Sequence, residues 1–166
     1  MAGEQVSGGW RATLVRDMRK LNAGEHVEHL ARQMVRAADP DITEAELERH
    51  NARGILGAID LSYAYIEFDL KGQVLKANPN FLNLMGYRED EVTGRHHRMF
   101  VETGAAQSNE YQEFWKSLNR GEFVAQEFKR VGKGGKVVWI QASYNPILDS
   151  ANKPTKVIKF AGIKAE

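Results

Sequence analysis

The segment KVVWIQASYNPIL, Lys136–Leu148, alternates apolar and polar residues as a half-buried β-strand does. The side expected to face the core carries Val138, Ile140, Ala142 and Tyr144. The opposite side begins with Val137 and Trp139 and then turns polar. An antiparallel sheet that is exposed on one face is normally polar there. We therefore expect another element to cover Val137 and Trp139.

Four further strands are predicted around this one. EFVAQEFKRV (122–131) and KVIKFAGI (156–163) flank it across the turn segments GKGG and DSANKP, and AYIEFDLKGQVLKAN (64–78) has the pattern of a hairpin. Short helices are predicted at 78–87 and 108–121, the first with Asn78 as N-cap and Gly86 at its end. This order predicts an α+β fold, a five-stranded antiparallel sheet with short helices on one face.

The chain before Asp60 has helical rather than alternating apolar spacing. Leu14, Met18 and Leu21 share one helical face, and the stripe resumes after a break at residues 22–25. Asp39-Pro40 ends one helix, and Thr43 with Glu46 forms a capping box for the next. We therefore divide the chain into residues 1–58, a flank of amphipathic helices, and a sheet domain, residues 59–166.

Composition excludes several classes of function. The 23 Lys and Arg residues balance 22 Asp and Glu residues, so no net field attracts nucleic acid. The basic run FKRVGKGGK (128–136) is interpreted as a solvated strand and loop, and no nucleic-acid partner is expected. Cysteine is absent, which removes thiol chemistry. No apolar run reaches membrane-spanning length, so we expect no membrane contact in this segment and a cytoplasmic location.

Three motifs in sequence order resemble a PAS sensory domain. These are NFLNLMGY (80–87), GEF with KRVGKGGK (121–136), and WIQASYNPI (139–147), and the likeness covers about Ile59 to Lys164. The closest resemblance is to the PAS domains that precede bacterial methyl-accepting chemotaxis signalling regions. It implies a cup between the sheet and the short helices that holds haem, flavin or a small metabolite. It also implies dimerisation through flanking helices.

For haem, the resemblance directs attention to the adjacent histidines His96 and His97. Haem b is the first cofactor expected if any is bound, with His97 as the ligand of the haem iron and His96 as the alternative. PAS domains that bind haem take their ligand from a later helix, which matches residues 108–118 here and contains no histidine. The bland alternative is therefore that one histidine packs locally and the other is solvated. The remaining residues assigned to the cofactor site are Phe81, Met85, Trp115, Ile140, Gln141 and Ile158.

FAD is the second cofactor expected. A flavin site would use aromatic stacking and amide contacts from Trp115, Trp139, Asn83 and Gln141. Because cysteine is absent, a light-driven thiol adduct is excluded and only redox sensing is left. Cavity size would separate a ligand-binding cup from a filled one.

Catalysis and a histidine-based metal site are both disfavoured. Glu67 with Asp69 alternates around a strand residue, and the acidic run 89–91 suits a helix start, so neither pair has an apolar pocket. His26 and His29 have metal-chelating spacing but are typical of a solvated helix face. We expect the protein not to be an enzyme.

The function that follows is a sensory PAS input module of bacterial signal transduction. It would sense gas, redox state or a small ligand in the cup and relay that state by the packing of dimer helices. The expected partners are a second copy, contacted through the N-terminal helices and the outer sheet face, and a downstream signalling domain or partner protein. The alternative is a PAS interaction and dimerisation module without cofactor.

Overall fold

The structure, a computed structural model, describes residues 23–163. It begins with two helices, α1 (Ala23–Ala38) and α2 (Glu44–Ser62). The helix predicted around Leu14 lies outside the described residues, as do the last three residues of the chain. Thr43 and Glu46 form the predicted capping box, with the Thr43 amide donating to Glu46 Oε2 at 2.9 Å. The chain divides into two compact units between Gly57 and Ala58, one residue before the predicted boundary.

The second unit begins its sheet with the predicted hairpin, β1 (Ala64–Phe68) and β2 (Val74–Ala77). Four short α-helices and a 3-10 turn follow. Their bounds are α3 (Pro79–Met85), α4 (Glu89–Val92), the 3-10 turn His97–Phe100, α5 (Thr103–Ala106) and α6 (Asn109–Asn119). As predicted, Asn78 caps α3 by accepting a hydrogen bond from the Phe81 amide, and Gly86 ends it in the left-handed conformation.

Three long strands complete an antiparallel sheet of five. They are β3 (Val124–Val131), β4 (Val137–Leu148) and β5 (Pro154–Ile163), and the spatial order is β2-β1-β5-β4-β3. The central strand β5 pairs with β1 on one side and β4 on the other. This α+β arrangement is the predicted one.

The hydrophobic core lies between one face of the sheet and the short helices. Its sheet side includes the four β4 residues predicted to face inward, together with Ile66 and Phe68 of β1, and all of them are buried. Its helix side is made by Phe81, Leu84, Met85, Val92, Phe100 and Leu118. Large aromatic rings thus occupy the space that a PAS cup would offer to a ligand.

The opposite side of the sheet, called the outer face below, keeps apolar residues in solvent. Val137 is 50% exposed and Trp139 is 54% exposed. Cover of this face by N-terminal helices, from the same chain or a partner, stays a prediction. Within residues 23–163, no helix combines the length and apolar character needed to cross a bilayer.

Candidate functional site

Five polar side chains meet inside the apolar core and form what we call the core cluster. Its members are His97, Tyr111, Arg130, Tyr144 and Lys159, and they come from the 3-10 turn, α6, β3, β4 and β5. Four of the five are buried, and Tyr111 is partly buried. Buried polar groups in an apolar core require partners. Their hydrogen bonds therefore decide what this site can do.

His97 is held at both ring nitrogens. Its Nδ1 lies 2.9 Å from Tyr111 Oη, and its Nε2 lies 3.0 Å from Tyr144 Oη. Arg130 Nη2 donates to the same Tyr144 oxygen at 3.1 Å. With that oxygen accepting from arginine, the Tyr144 hydroxyl proton is directed to His97 Nε2, and His97 Nδ1–H donates to Tyr111. The hydrogen-bond network thus assigns a neutral imidazole with its proton on Nδ1.

The environment supports that neutral form. Burial, followed by the positive charges of Arg130 and Lys159, holds the pKa of His97 well below its ordinary value. Burial likewise raises the pKa of Tyr144, so its hydroxyl keeps its proton. The chain of donors from Arg130 through Tyr144 and His97 to Tyr111 is therefore a fixed polar network at neutral pH.

Lys159 is the most unusual member. Its side chain is fully buried, and within the described part of the chain its Nζ has no hydrogen-bond partner. The amine lies 5.0 Å from the ring centroid of Tyr144 and 5.4 Å from that of Phe81. Burial and the nearby Arg130 lower the pKa of Lys159 well below its usual value.

His96 has a different role from its neighbour. It is half-buried at the start of the 3-10 turn, where its Nδ1 accepts a hydrogen bond from the Arg98 amide at 3.1 Å. Its ring lies edge-on to Trp115 at 6.2 Å. Both rings lie close to Gly72, whose positive φ of 84° and tight neighbours leave no room for a side chain. His96 therefore packs locally against this turn.

Haem does not fit the core in this arrangement. An axial ligand needs a ring nitrogen with a free lone pair and an open coordination face, but both nitrogens of His97 are already bonded. Six aromatic rings also surround its imidazole, with centroids 5.2–6.2 Å away. Ligation of iron by His97 would require both hydrogen bonds to break and the rings to separate.

The other residues assigned to the cofactor site divide between the two faces of the sheet. Phe81, Met85 and Ile140 are buried in the core as expected. Trp115 is partly buried, edge-on to Phe68 at 5.9 Å and to His97 at 5.5 Å. These four residues do surround the cup.

Two assigned residues do not. Gln141 alternates with buried Ile140 and Ala142 and lies exposed on the outer face, so its placement in the cup is wrong. Ile158 is also on the outer face, beside Glu67 and Asn145 in the sheet register. Successive strand residues point to opposite sides, so an error of one position inverts the facing. The predicted flavin contact from Trp139 fails for the same reason.

Three core residues were not identified from the sequence. Tyr111 was predicted only as part of an apolar helix face, Arg130 was placed in a solvated basic run, and Lys159 was not singled out. The solvated interpretation holds for Lys129 and Lys133, which are exposed, but it is wrong for Arg130. The alternation itself was the available signal, because Arg130 shares a strand face with Phe128.

Comparisons with known proteins agree with this fold. A family model described as the PAS fold matches residues 74–161, more than half of the chain. The biofilm dispersion protein BdlA of Pseudomonas aeruginosa is 46% identical over 121 residues, covering 73% of this chain but only 29% of that protein. This chain therefore spans less than a third of that curated relative.

Solved structures give the same result at lower identity. The PAS domain of a protein from Colwellia psychrerythraea has a TM-score of 0.59 at 19% identity, covering 68% of this chain and 96% of that one. A light-oxygen-voltage domain studied with a flavin analogue has a TM-score of 0.58 at 21% identity, covering 68% and 86%. With its five-stranded antiparallel sheet, its inner aromatic core and these matches, the chain belongs to the PAS family.

Proposed function

We propose that this chain is a non-enzymatic sensory input module of a bacterial, chemotaxis-receptor-like signalling protein. In this account the core cluster receives the input, and the end of α2 carries the response to a downstream domain or partner. The similarity to a biofilm dispersion protein supports a signalling role. The proposal also places the module in the cytoplasm, where a soluble signalling partner would meet it.

The observation that carries the proposal is the set of hydrogen bonds made by Asn78. Its Nδ2 donates to the Asp60 carbonyl at 3.2 Å and to the Tyr63 carbonyl at 2.9 Å, at the end of α2. Its Oδ1 accepts from the amides of Tyr65 in β1 and Phe81 in α3, both at 2.9 Å. One buried side chain therefore joins α2, the sheet and α3.

This junction is one residue contact away from the core cluster. Phe81, whose amide is fixed by Asn78, places its ring beside Lys159 Nζ. Asn80 adds further bonds from α3 to the end of α2, including one of 3.0 Å to the Asp60 carbonyl. A change in the core that moves Phe81 would therefore act on the end of α2 through a contiguous set of contacts.

Of the three inputs considered, a small ligand agrees best with this geometry. Gas sensing would need the haem that the arrangement around His97 does not fit. Redox sensing would need a flavin, and two of its four expected contacts, Trp139 and Gln141, lie on the outer face. A small ligand needs only a local opening of the core and different affinities for the open and closed states.

Native-state hydrogen exchange on the full chain tests the relay. Tyr144→Phe should accelerate exchange at the amides of residues 60–66 by more than its loss of global stability accounts for. Gln141→Ala, on the same strand but on the outer face, is the matched control and should leave those amides unchanged. In an Asn78→Ala background the Tyr144→Phe effect should disappear, because the connection is already broken. Equal exchange in wild type and a folded Tyr144→Phe protein would refute the relay.

The second candidate is a cofactor-free interaction module. The filled core and the exposed Val137 and Trp139 of the outer face favour it. In that case the core would only support the fold, and the outer face would bind a second copy or another protein. A core substitution would then change stability without a specific effect at residues 60–66.

A further inference from the structure

Two cationic side chains lie in the core without an acidic partner. Arg130 and Lys159 are both buried, and among residues 23–163 neither takes part in an ion pair. Arg130 uses Nη1 and Nη2 for bonds to the Lys129 carbonyl and Tyr144 Oη. Its Nε, like the Nζ of Lys159, has no partner within the described residues.

Such an arrangement is costly unless an anion completes it. A buried charge normally has a counter-ion or gives up its charge, and a buried donor normally has an acceptor. The faces of Phe81 and Tyr144 compensate the Lys159 amine only in part. The unused donors of Lys159 and Arg130 therefore match an acceptor that carries negative charge.

An open groove of about 530 Å³ lies beside Lys159. One of its walls includes Ala161, which follows Lys159 by two residues and lies on the same inward face of β5. Another wall is formed by α3 through Asn83 and Leu84, and the same helix carries the Phe81 ring that lies near the amine. Lys136 also lines the groove and adds positive charge there. A displacement of α3 side chains would connect the groove to the core cluster.

We infer that Lys159 and Arg130 bind the carboxylate of a small organic acid that enters through this groove. A carboxylate fits better than a phosphate, because its two oxygens can accept from the few free donors, whereas further phosphate oxygens would be left unsatisfied among aromatic rings. The inference rests on the proposed function, since the acid is the input that the relay would report.

The test is a calorimetric and thermal-unfolding titration of the full chain. The probes are acetate, succinate and benzoate, each compared at equal ionic strength with its neutral amide. At least one acid should raise the melting temperature in a saturable way, while its amide should not. Lys159→Met should raise the dissociation constant by about tenfold or more, because it removes a charge-assisted hydrogen bond. Lys153→Met, in an exposed turn, is the matched control and should bind like wild type.

Several results would overturn the inference. One is that none of the three acids stabilises the wild-type chain, and another is that Lys159→Met binds as tightly as wild type. If Lys159→Met does not fold, Arg130→Gln provides the same comparison. Native mass spectrometry of the purified chain adds an independent result: a co-purified small acid supports the inference, and a bound haem or flavin contradicts it.

The outcome is separable from that of the proposed function. If no acid binds but Tyr144→Phe still alters exchange at residues 60–66, only the ligand class is wrong. If an acid binds through Lys159 but exchange at those amides never changes, the relay is wrong and the binding site stands.

Discussion

The imidazole of His97 and the hydroxyl of Tyr144 form a buried hydrogen bond of 3.0 Å that joins the 3-10 turn to the fourth strand. The two residues are 47 positions apart in the chain, so the contact exists only once the helices have packed on the sheet. Because the same hydroxyl accepts from Arg130, this pair is the centre of the core cluster.

Tyr144→Phe should lower the free energy of unfolding by about 2 kcal/mol, because it leaves His97 Nε2 and one Arg130 donor unsatisfied in the core. Urea denaturation of both proteins measures the difference. Tyr111→Phe removes a partner at a partly buried site and should cost less. A Tyr144→Phe protein as stable as wild type would show that the network does not stabilise the fold.

Lys159→Met should make the protein more stable at neutral pH, with a gain that shrinks as pH rises. The lowered pKa of Lys159 means that the unfolded chain binds one more proton than the native chain between that pKa and the ordinary value of 10.5. Wild-type stability therefore rises with pH in this window by about 1.4 kcal/mol per pH unit relative to Lys159→Met. Denaturation curves at about pH 8, 9 and 10 measure this slope. Parallel pH profiles for the two proteins would show that Lys159 is charged in the core.

Gly132→Ala should destabilise the protein by about 1–3 kcal/mol through overpacking. A methyl group at this position would lie 2.5 Å from the Met85 carbonyl oxygen, at the end of α3, and backbone cannot move aside cheaply. Gly104→Ala is the matched control, since it lies in α5 with open space around it and should be neutral or stabilising. Thermal unfolding of the two variants should give shifts of opposite sign or clearly different size.

Trp139→Glu should convert a dimer of the full chain into monomers if the outer face is the dimer surface. A half-exposed tryptophan next to half-exposed Val137 is an apolar patch, and a carboxylate there would oppose its burial. Size-exclusion chromatography with light scattering gives the mass directly. Lys129→Glu, on the outer face of the neighbouring strand, is a control for charge alone, and an unchanged dimer in Trp139→Glu would place the interface elsewhere.

The sequence was sufficient for those features that depend on local pattern. The hairpin of residues 64–77, the Asn78 and Gly86 caps of α3 and the inward facing of Tyr144 all follow from alternation and capping chemistry. Their physical causes lie within a few residues of one another. Such features are therefore legible before the chain is folded.

The core cluster was not predictable in the same way. Arg130 and Lys159 belong to residue types that are almost never buried without a partner, so a basic residue in a strand is first interpreted as solvated. Gln141 and Ile158 were placed in the cup because an apolar or amide residue near the motif fitted a cofactor. Only the register of β4 against β5 fixes which residues face inward. The two hydrogen bonds of His97 join segments too distant for any local pattern to predict.

The most direct test of the account is the visible spectrum of the purified full chain before and after addition of haem, for wild type and His97→Phe. If His97 belongs to the hydrogen-bonded core and not to a cofactor, neither protein should develop an absorption band beyond that of free haem. A strong haem band in wild type that is lost in a folded His97→Phe protein would contradict the account and make His97 an iron ligand.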